Sequence, residues 1–319
     1  MKFFDWNEYA FKSKSDIKSL KPLVFLAAPR KLSEQYVVNL FKSYATSSNV
    51  LIGIAKEDFI KGFEDQEQFR TLKLTDIENF VDKVRKSKAK DRLHFIEYFQ
   101  DDLIHILEKI PFKKVLFVNG SWSRVFHTRS EFYTLVKNKI DYELVSAFSS
   151  EEEAKEYFKS IKSKVQKDTK KIKIGHIFKD DNEAFELVDN IAKFSFDNSF
   201  QTGAVLTKNK KLLAYSWNRV VPYETYALLN GYQREIHLSP PNDTNHYDTN
   251  HAEVEMLIKA NKENIDLAGT TLYINLLPCP SCARMICNTE ISEIKYKIDH
   301  SEGYAFDLLK KAGKEVERV

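Results

Sequence analysis

Four residues have the types and spacing to do chemistry: His251, Glu253, Cys279 and Cys282. They sit in two short strings, His251-Ala252-Glu253 and Pro278-Cys279-Pro280-Ser281-Cys282. Two cysteines three apart share one face of a helix. Pro278, after an apolar run, fits a helix start, and the positive end of a helix favours thiolates over thiols. Two thiolates and one imidazole give a metal three protein ligands and leave a fourth position for water. That is the make-up of a catalytic zinc centre; a structural one is closed by four protein ligands. Bound zinc brings the pKa of water down towards ~7. Glu253, two residues past His251, can reach the same cavity without taking a metal position, and its carboxylate can carry a proton there.

Other uses of C-x-x-C remain open at this point. It could be a redox pair, although nothing nearby follows a thioredoxin-like order of elements. It could be half of a closed structural site in a non-catalytic, zinc-stabilised binding module, with Cys287, His246 or His300 as fourth ligand. Cys287 is turned by about 140° from Cys282 on a helix and has apolar neighbours, which reads as a core thiol. A closed structural site also has no use for a carboxylate at Glu253.

The elements that must position these residues are drawn from 319 residues with 43% apolar content, 23 Phe and 15 Tyr, ample for a buried core. Nine glycines exclude collagen-like and linker-dominated chains. Three cysteines, all between 279 and 287, fit a reducing compartment better than a disulfide framework. The longest early apolar run, Leu23–Ala28, is far short of the ~20 residues of a membrane span. Charge interrupts the N-terminus where a secretory leader needs a continuous apolar stretch. The expectation is a cytoplasmic protein with no membrane partner.

Net charge is +3, but it is unevenly spread. Residues 1–172 hold 32 Lys and Arg against 25 Asp and Glu; residues 173–319 hold 17 against 21. Two domains are expected, 1–172 and 173–319, joined by the lysine-rich stretch 161–173, a linker or solvated helix end. That run and the one at Lys83–Arg92 lack the interleaved aromatics of a single-strand binding surface.

In the first half, strands are predicted at Leu23–Ala28, Val50–Ala55, Lys114–Asn119 and Tyr142–Phe148. Helices are predicted at Leu32–Ala45, Leu74–Arg85, Leu93–Ile110, Ser130–Lys139 and Ser150–Ile161. The alternation implies an α/β domain with a mainly parallel sheet. It contains neither of the two glycine-rich phosphate-binding signatures. The turn Asn119-Gly120-Ser121-Trp122 reads as a tight strand-to-helix connection. In the second half the order is α-β-β-α-β-α-β-α-β, with a long polar and aromatic loop from Asn218 to Asn250. The helix between the last two strands makes those strands parallel.

With these motifs in place, the second half resembles the cytidine and deoxycytidylate deaminase superfamily over roughly Asp180 to Val319. The likeness runs through Gly203-Ala204-Val205-Leu206, Asn218, His251-Ala252-Glu253, Leu272–Leu276, Pro278–Ala283 and the tail Tyr304–Val319. It implies a three-layer α-β-α domain on a five-stranded mixed sheet, with Zn2+ held by His251, Cys279 and Cys282 and Glu253 catalytic. It also implies that Asn218 contacts the base or sugar and that Ala252 lies by the ring through its backbone. The parallel final strand resembles the deoxycytidylate and tRNA-adenosine deaminase branch. Val254-Glu255 departs from the Met-Asn usual in deoxycytidylate deaminases, and the N-terminal half fits neither plan.

The activity implied is hydrolytic deamination of an amino-substituted nucleobase, with a CMP/dCMP-type nucleotide as first expectation. Arg219 and Arg234 are then phosphate-binding candidates, or else solvent-facing arginines. The alternative is editing of tRNA adenosine or of single-stranded DNA or RNA, with Tyr223, Tyr226, Tyr232, His237 and Tyr247 stacking bases; packing of the loop explains the same tyrosines. A homo-oligomer is the assembly the resemblance implies.

Overall fold

The computed structural model describes residues 1–11, 16–169, 173–237 and 247–319. The chain divides into two units: Met1–Phe158 with Thr225–His246, and Lys159–Glu224 with Tyr247–Val319.

The first unit is built on six parallel strands. In chain order its elements are β1 (Lys2–Asp5), α1 (Trp6–Phe11), β2 (Leu23–Ala27), α2 (Glu34–Tyr44), β3 (Asn49–Ala55), α3 (Glu78–Arg85), β4 (Leu93–Tyr98), α4 (Leu103–Lys109), β5 (Lys114–Val118), α5 (Ser130–Asn138), β6 (Tyr142–Val145) and the first part of α6 (Glu151–Thr169), which passes into the second unit after Phe158. The strands lie in the order β1-β4-β3-β2-β5-β6. All five residues of β2 are buried, as expected of a parallel strand covered by helices on both faces. The mainly parallel sheet expected for this half is therefore present. Ser33 caps α2 by accepting from Tyr36 N at 3.1 Å.

Two expectations fail here. Leu93–Ile110 is not one helix: its first six residues are β4, an inner strand between β1 and β3, and α4 begins only at Leu103. A continuous apolar and aromatic run satisfies helical spacing and a two-faced buried strand equally well, and burial on both faces decides for the strand. The short β1 was not expected at all. It is an edge strand with a half-exposed Phe3 stacked on Phe95 at 4.9 Å, and so it carries no burial signal. The lysine-rich stretch continues α6 as far as Thr169; residues 170–172 lie outside the described residues.

The second unit contains α7 (Asp181–Ala192), β7 (Gly203–Lys208), β8 (Lys211–Trp217) and β9 (Arg219–Val220). The chain then passes through α8 (Tyr226–Asn230) and α9 (Gln233–Ile236), which group with the first unit. It returns as β10 (Thr249–Asn250), α10 (Ala252–Lys262), β11 (Thr271–Leu276), α11 (Pro280–Cys287), β12 (Glu293–Ile298), α12 (Tyr304–Lys311) and β13 (Glu315–Arg318). Its sheet runs β13-β12-β11-β7-β8. Strand β7 is antiparallel to both neighbours, whereas β11, β12 and β13 are parallel, as the intervening helix required.

Alternation along the strands makes the three layers. Ala204, Leu206, Leu272 and Ile274 face the core shared with α10, α11 and α12. Val205, Leu212 and Tyr273 face α7. Gly203 is needed where α7 crosses β7: a Cβ there would lie 2.2 Å from the carbonyl oxygen of Val188.

Candidate active site

Strands β8 and β11 both run opposite to β7, so they end on the same edge of the sheet. Asn218 follows β8, and Pro278-Cys279 follows β11. His251 enters beside them as the N-cap residue of α10, whose first turn is fixed by Ser216 Oγ donating to the Ala252 carbonyl at 2.8 Å.

Cys279 is the N-cap of α11, with Pro280 in its first turn, and its sulfur accepts from Cys282 N at 3.5 Å. This places both cysteines on the positive end of one helix. The metal-ligating atoms of His251, Cys279 and Cys282 all lie within 4.8 Å of one another. His251 Nδ1 is 3.5 Å from each sulfur. A tetrahedral zinc with ordinary Zn–N and Zn–S bonds separates such atoms by about 3.6 Å. The three residues therefore fit zinc through Nδ1 and two sulfurs.

The electrostatics agree. The hydrogen bond from Cys282 pulls the Cys279 thiol down to about 3; burial opposes the shift, and His251 adds to it. The same bond, with burial, holds the Cys282 thiol high. The hydrogen bond to Cys279 raises His251. Glu253 is buried, 4% exposed, on the first turn of α10. Burial pushes its carboxyl up to about 7, with His251 and a hydrogen bond with Cys282 working against that shift. A carboxyl poised near neutrality can both accept and return a proton.

The side chain of Asn218, just after β8, is engaged: Oδ1 accepts from Thr202 N at 2.8 Å and Nδ2 donates to Phe200 O at 2.7 Å. Arg219 pairs through Nε with Glu255 at 3.2 Å, and Glu255 also accepts from Asn250 Nδ2 at 2.9 Å. Arg234 is on α9, in the segment grouped with the first unit. Tyr247 meets the His251 ring edge-on at 5.5 Å. Cys287 packs against the core and donates towards Leu308 O at 3.8 Å. His300 stands near the Phe200 ring, outside the ligand group. His246 lies outside the described residues.

Sequence reasoning missed two residues. Asn275 mirrors Asn218: Oδ1 accepts from Gly203 N at 3.0 Å and Nδ2 donates to Gln201 O at 2.8 Å, so the 200–203 segment is held from both sides. Its only trace in sequence is one amide near the end of an apolar strand. Asp197 accepts from Ser199 N and Thr249 Oγ1 at 2.7 and 2.8 Å, and its charge contributes to raising His251.

Comparison with known proteins adds the family. The family model of the cytidine and deoxycytidylate deaminase zinc-binding region matches residues 178–298. An uncharacterized deaminase from the luxG 3′ region of Aliivibrio fischeri is 29% identical over 110 residues, 34% of this chain and 67% of that protein. The deoxycytidylate deaminase of enterobacteria phage T4 is 23% identical over 154 residues, 38% of this chain and 80% of that protein. Among solved structures, the dCMP deaminase of cyanophage S-TIM5 is 23% identical, with a TM-score of 0.35, covering 45% of this chain and all of that one. Residues 178–298 thus match a deaminase zinc-binding region of the cytidine and deoxycytidylate type, and the His251, Cys279 and Cys282 group lies inside that match.

Proposed function

We propose that the chain removes the exocyclic amino group from a free pyrimidine nucleotide of the CMP/dCMP type, with His251, Cys279 and Cys282 as zinc ligands and Glu253 as proton carrier. The observation that carries this reading is the meeting of His251 Nδ1 with two sulfurs at 3.5 Å beside a buried carboxyl raised to about 7. Zinc held there supplies a water activated for attack at neutral pH. Glu253 would take one proton from the attacking water and pass it to the ring nitrogen, then take the second from the new hydroxyl on the ring carbon and pass it to the amino group, which leaves as ammonia when the C–N bond breaks. The Ala252 backbone and the clamped 200–203 segment form the wall against which the ring lies.

Two features favour a small substrate. Among the described residues Arg219 donates through Nε to Glu255, which leaves its two terminal nitrogens for a phosphate. Tyr232 is buried, which takes it out of the aromatic set a polynucleotide would stack on. The relatives named deoxycytidylate deaminase support the same choice.

The test is ammonia release by the zinc-loaded protein from deoxycytidylate, cytidine, adenosine, guanine, single-stranded DNA and tRNA. Turnover on deoxycytidylate is expected. Turnover confined to a nucleic acid would replace this substrate with the editing one.

A further inference from the structure

In open α/β sheets of the first unit's kind, ligands sit beyond the carboxyl ends of the strands, where the strand order reverses. Here the order reverses between β2 and β5. The turn after β2, Pro29-Arg30-Lys31-Leu32-Ser33, has no glycine to let a phosphate approach the backbone. Its Arg30 is turned inward and fully buried, donating through Nη1 to Gly120 O at 3.1 Å and through Nη2 to Gln68 O, over the Phe69 ring.

The crevice is filled by the chain itself. A Cβ on Gly120, just after β5, would come within 2.5 Å of Leu228 Cδ2 and 3.1 Å of the Tyr232 hydroxyl. Three anchors fix this filling segment, all within the first unit. Thr225, fully buried, donates to Ala154 O at 2.9 Å. Ala147 N donates to Leu228 O at 3.0 Å. Glu235, 6% exposed, accepts from Trp122 Nε1 at 3.3 Å, from His127 Nδ1 at 2.7 Å and from the Phe126 amide. His127 meets the Tyr142 hydroxyl at 3.3 Å through its other nitrogen. A buried carboxylate with three donors converging on it is a strong and directional fastening.

This segment is part of the loop that leads into the zinc site. On the deaminase side the loop closes in a ribbon, with Arg219–Val220 paired to Thr249–Asn250 and Val221 N donating to Asp248 O at 3.0 Å. The next residue is His251, and only residues 221–224 separate the ribbon from the Thr225 anchor.

We infer that the first unit acts as an anchor domain, its switch-point crevice occupied by Thr225–Ile236 as a built-in ligand, and that Glu235 is a positioning residue for the loop that carries Arg219 and leads into His251. The consequence for catalysis rests on the deaminase reading above; the anchoring does not.

The test compares full-length wild type, Glu235→Ala and Glu235→Gln, each zinc-loaded, by hydrogen exchange and by kinetics on whichever substrate the wild type deaminates. Glu235→Ala is expected to speed exchange at Val220, Val221 and the 226–236 amides about tenfold while the β7, β11 and β12 amides keep wild-type rates. KM is expected to rise about tenfold with kcat and zinc content little changed, because uniform substrate binding is what a loosened loop loses. Glu235→Gln, which keeps an acceptor for Phe126 and Trp122, should fall between; it is the decisive variant if Glu235→Ala does not fold. Wild-type exchange in the loop of the decisive variant overturns the anchor. Faster exchange throughout the protein overturns it as well, by showing a merely structural residue. Faster loop exchange with unchanged KM keeps the anchor and overturns its role in positioning. If wild type deaminates nothing in the panel while loop exchange still responds, the anchor stands and the deaminase reading fails.

Discussion

One carboxylate, Glu253, does two opposite jobs if it carries the proton: it must be a base towards water and then an acid towards the ring. Burial that raises it to about 7 suits both, because neither protonation state is then costly at neutral pH. The two cysteines have a different task, and substitution separates the two roles. Cys279→Ala should lose zinc and activity together, whereas Glu253→Ala should keep zinc; metal content of the purified variants checks this, and zinc retained at wild-type level by Cys279→Ala would remove Cys279 from the ligand set. That His251, Cys279 and Cys282 come together was legible because a metal-type ligand group imposes short, fixed spacings on the sequence. Asn275 and Asp197 were not, because their roles exist only once β7, β8 and β11 bring the 197–203 segment between them.

At the level of elements, close packing and buried charge set the tolerances. Gly203→Ala would force a Cβ against the Val188 carbonyl, so α7 must move off β7. A loss of about 3 kcal/mol in denaturant unfolding is expected, and wild-type stability would contradict the packing. In the first unit, His94 on β4 is buried, and burial takes it from 6.5 down to about 4. A depressed pKa means that the unfolded chain takes up a proton the folded one refuses. The stability His94 contributes is therefore complete above pH 6.5 and is lost as pH falls towards about 4, by about 3 kcal/mol. In His94→Gln, unfolding free energy should fall less steeply across that window; an unchanged slope would show that His94 titrates normally. Most helices and strands were legible from periodicity and caps. β4 was read as helix because a fully buried strand has no alternation to show, and β1 was missed because an exposed edge strand has little burial to show.

For the whole molecule, the sequence placed one boundary near residue 172, where the lysines cluster. The contacts instead divide α6 and assign Thr225–His246 to the first unit, a long-range exchange that composition cannot reveal. Most of the positive excess of residues 1–172 lies in 159–172, outside the first unit, whose own residues hold 27 Lys and Arg against 26 Asp and Glu; a near-neutral unit whose crevice is taken by its own chain weakens the case for a polynucleotide there. Salt tests this at the level of the protein. Turnover on a free nucleotide should change less than about threefold in kcat/KM between 50 and 200 mM salt, whereas a substrate held through six to ten phosphates would lose roughly 10³–10⁵ in affinity. The central claim is a zinc-dependent deamination carried by Glu253. Its most direct test is ammonia release from deoxycytidylate by wild type and Glu253→Ala at equal zinc content. The expected result is turnover by wild type and a loss of about 10²–10⁴-fold in kcat for the variant, with zinc and fold retained. Ammonia released by Glu253→Ala at the wild-type rate would contradict it.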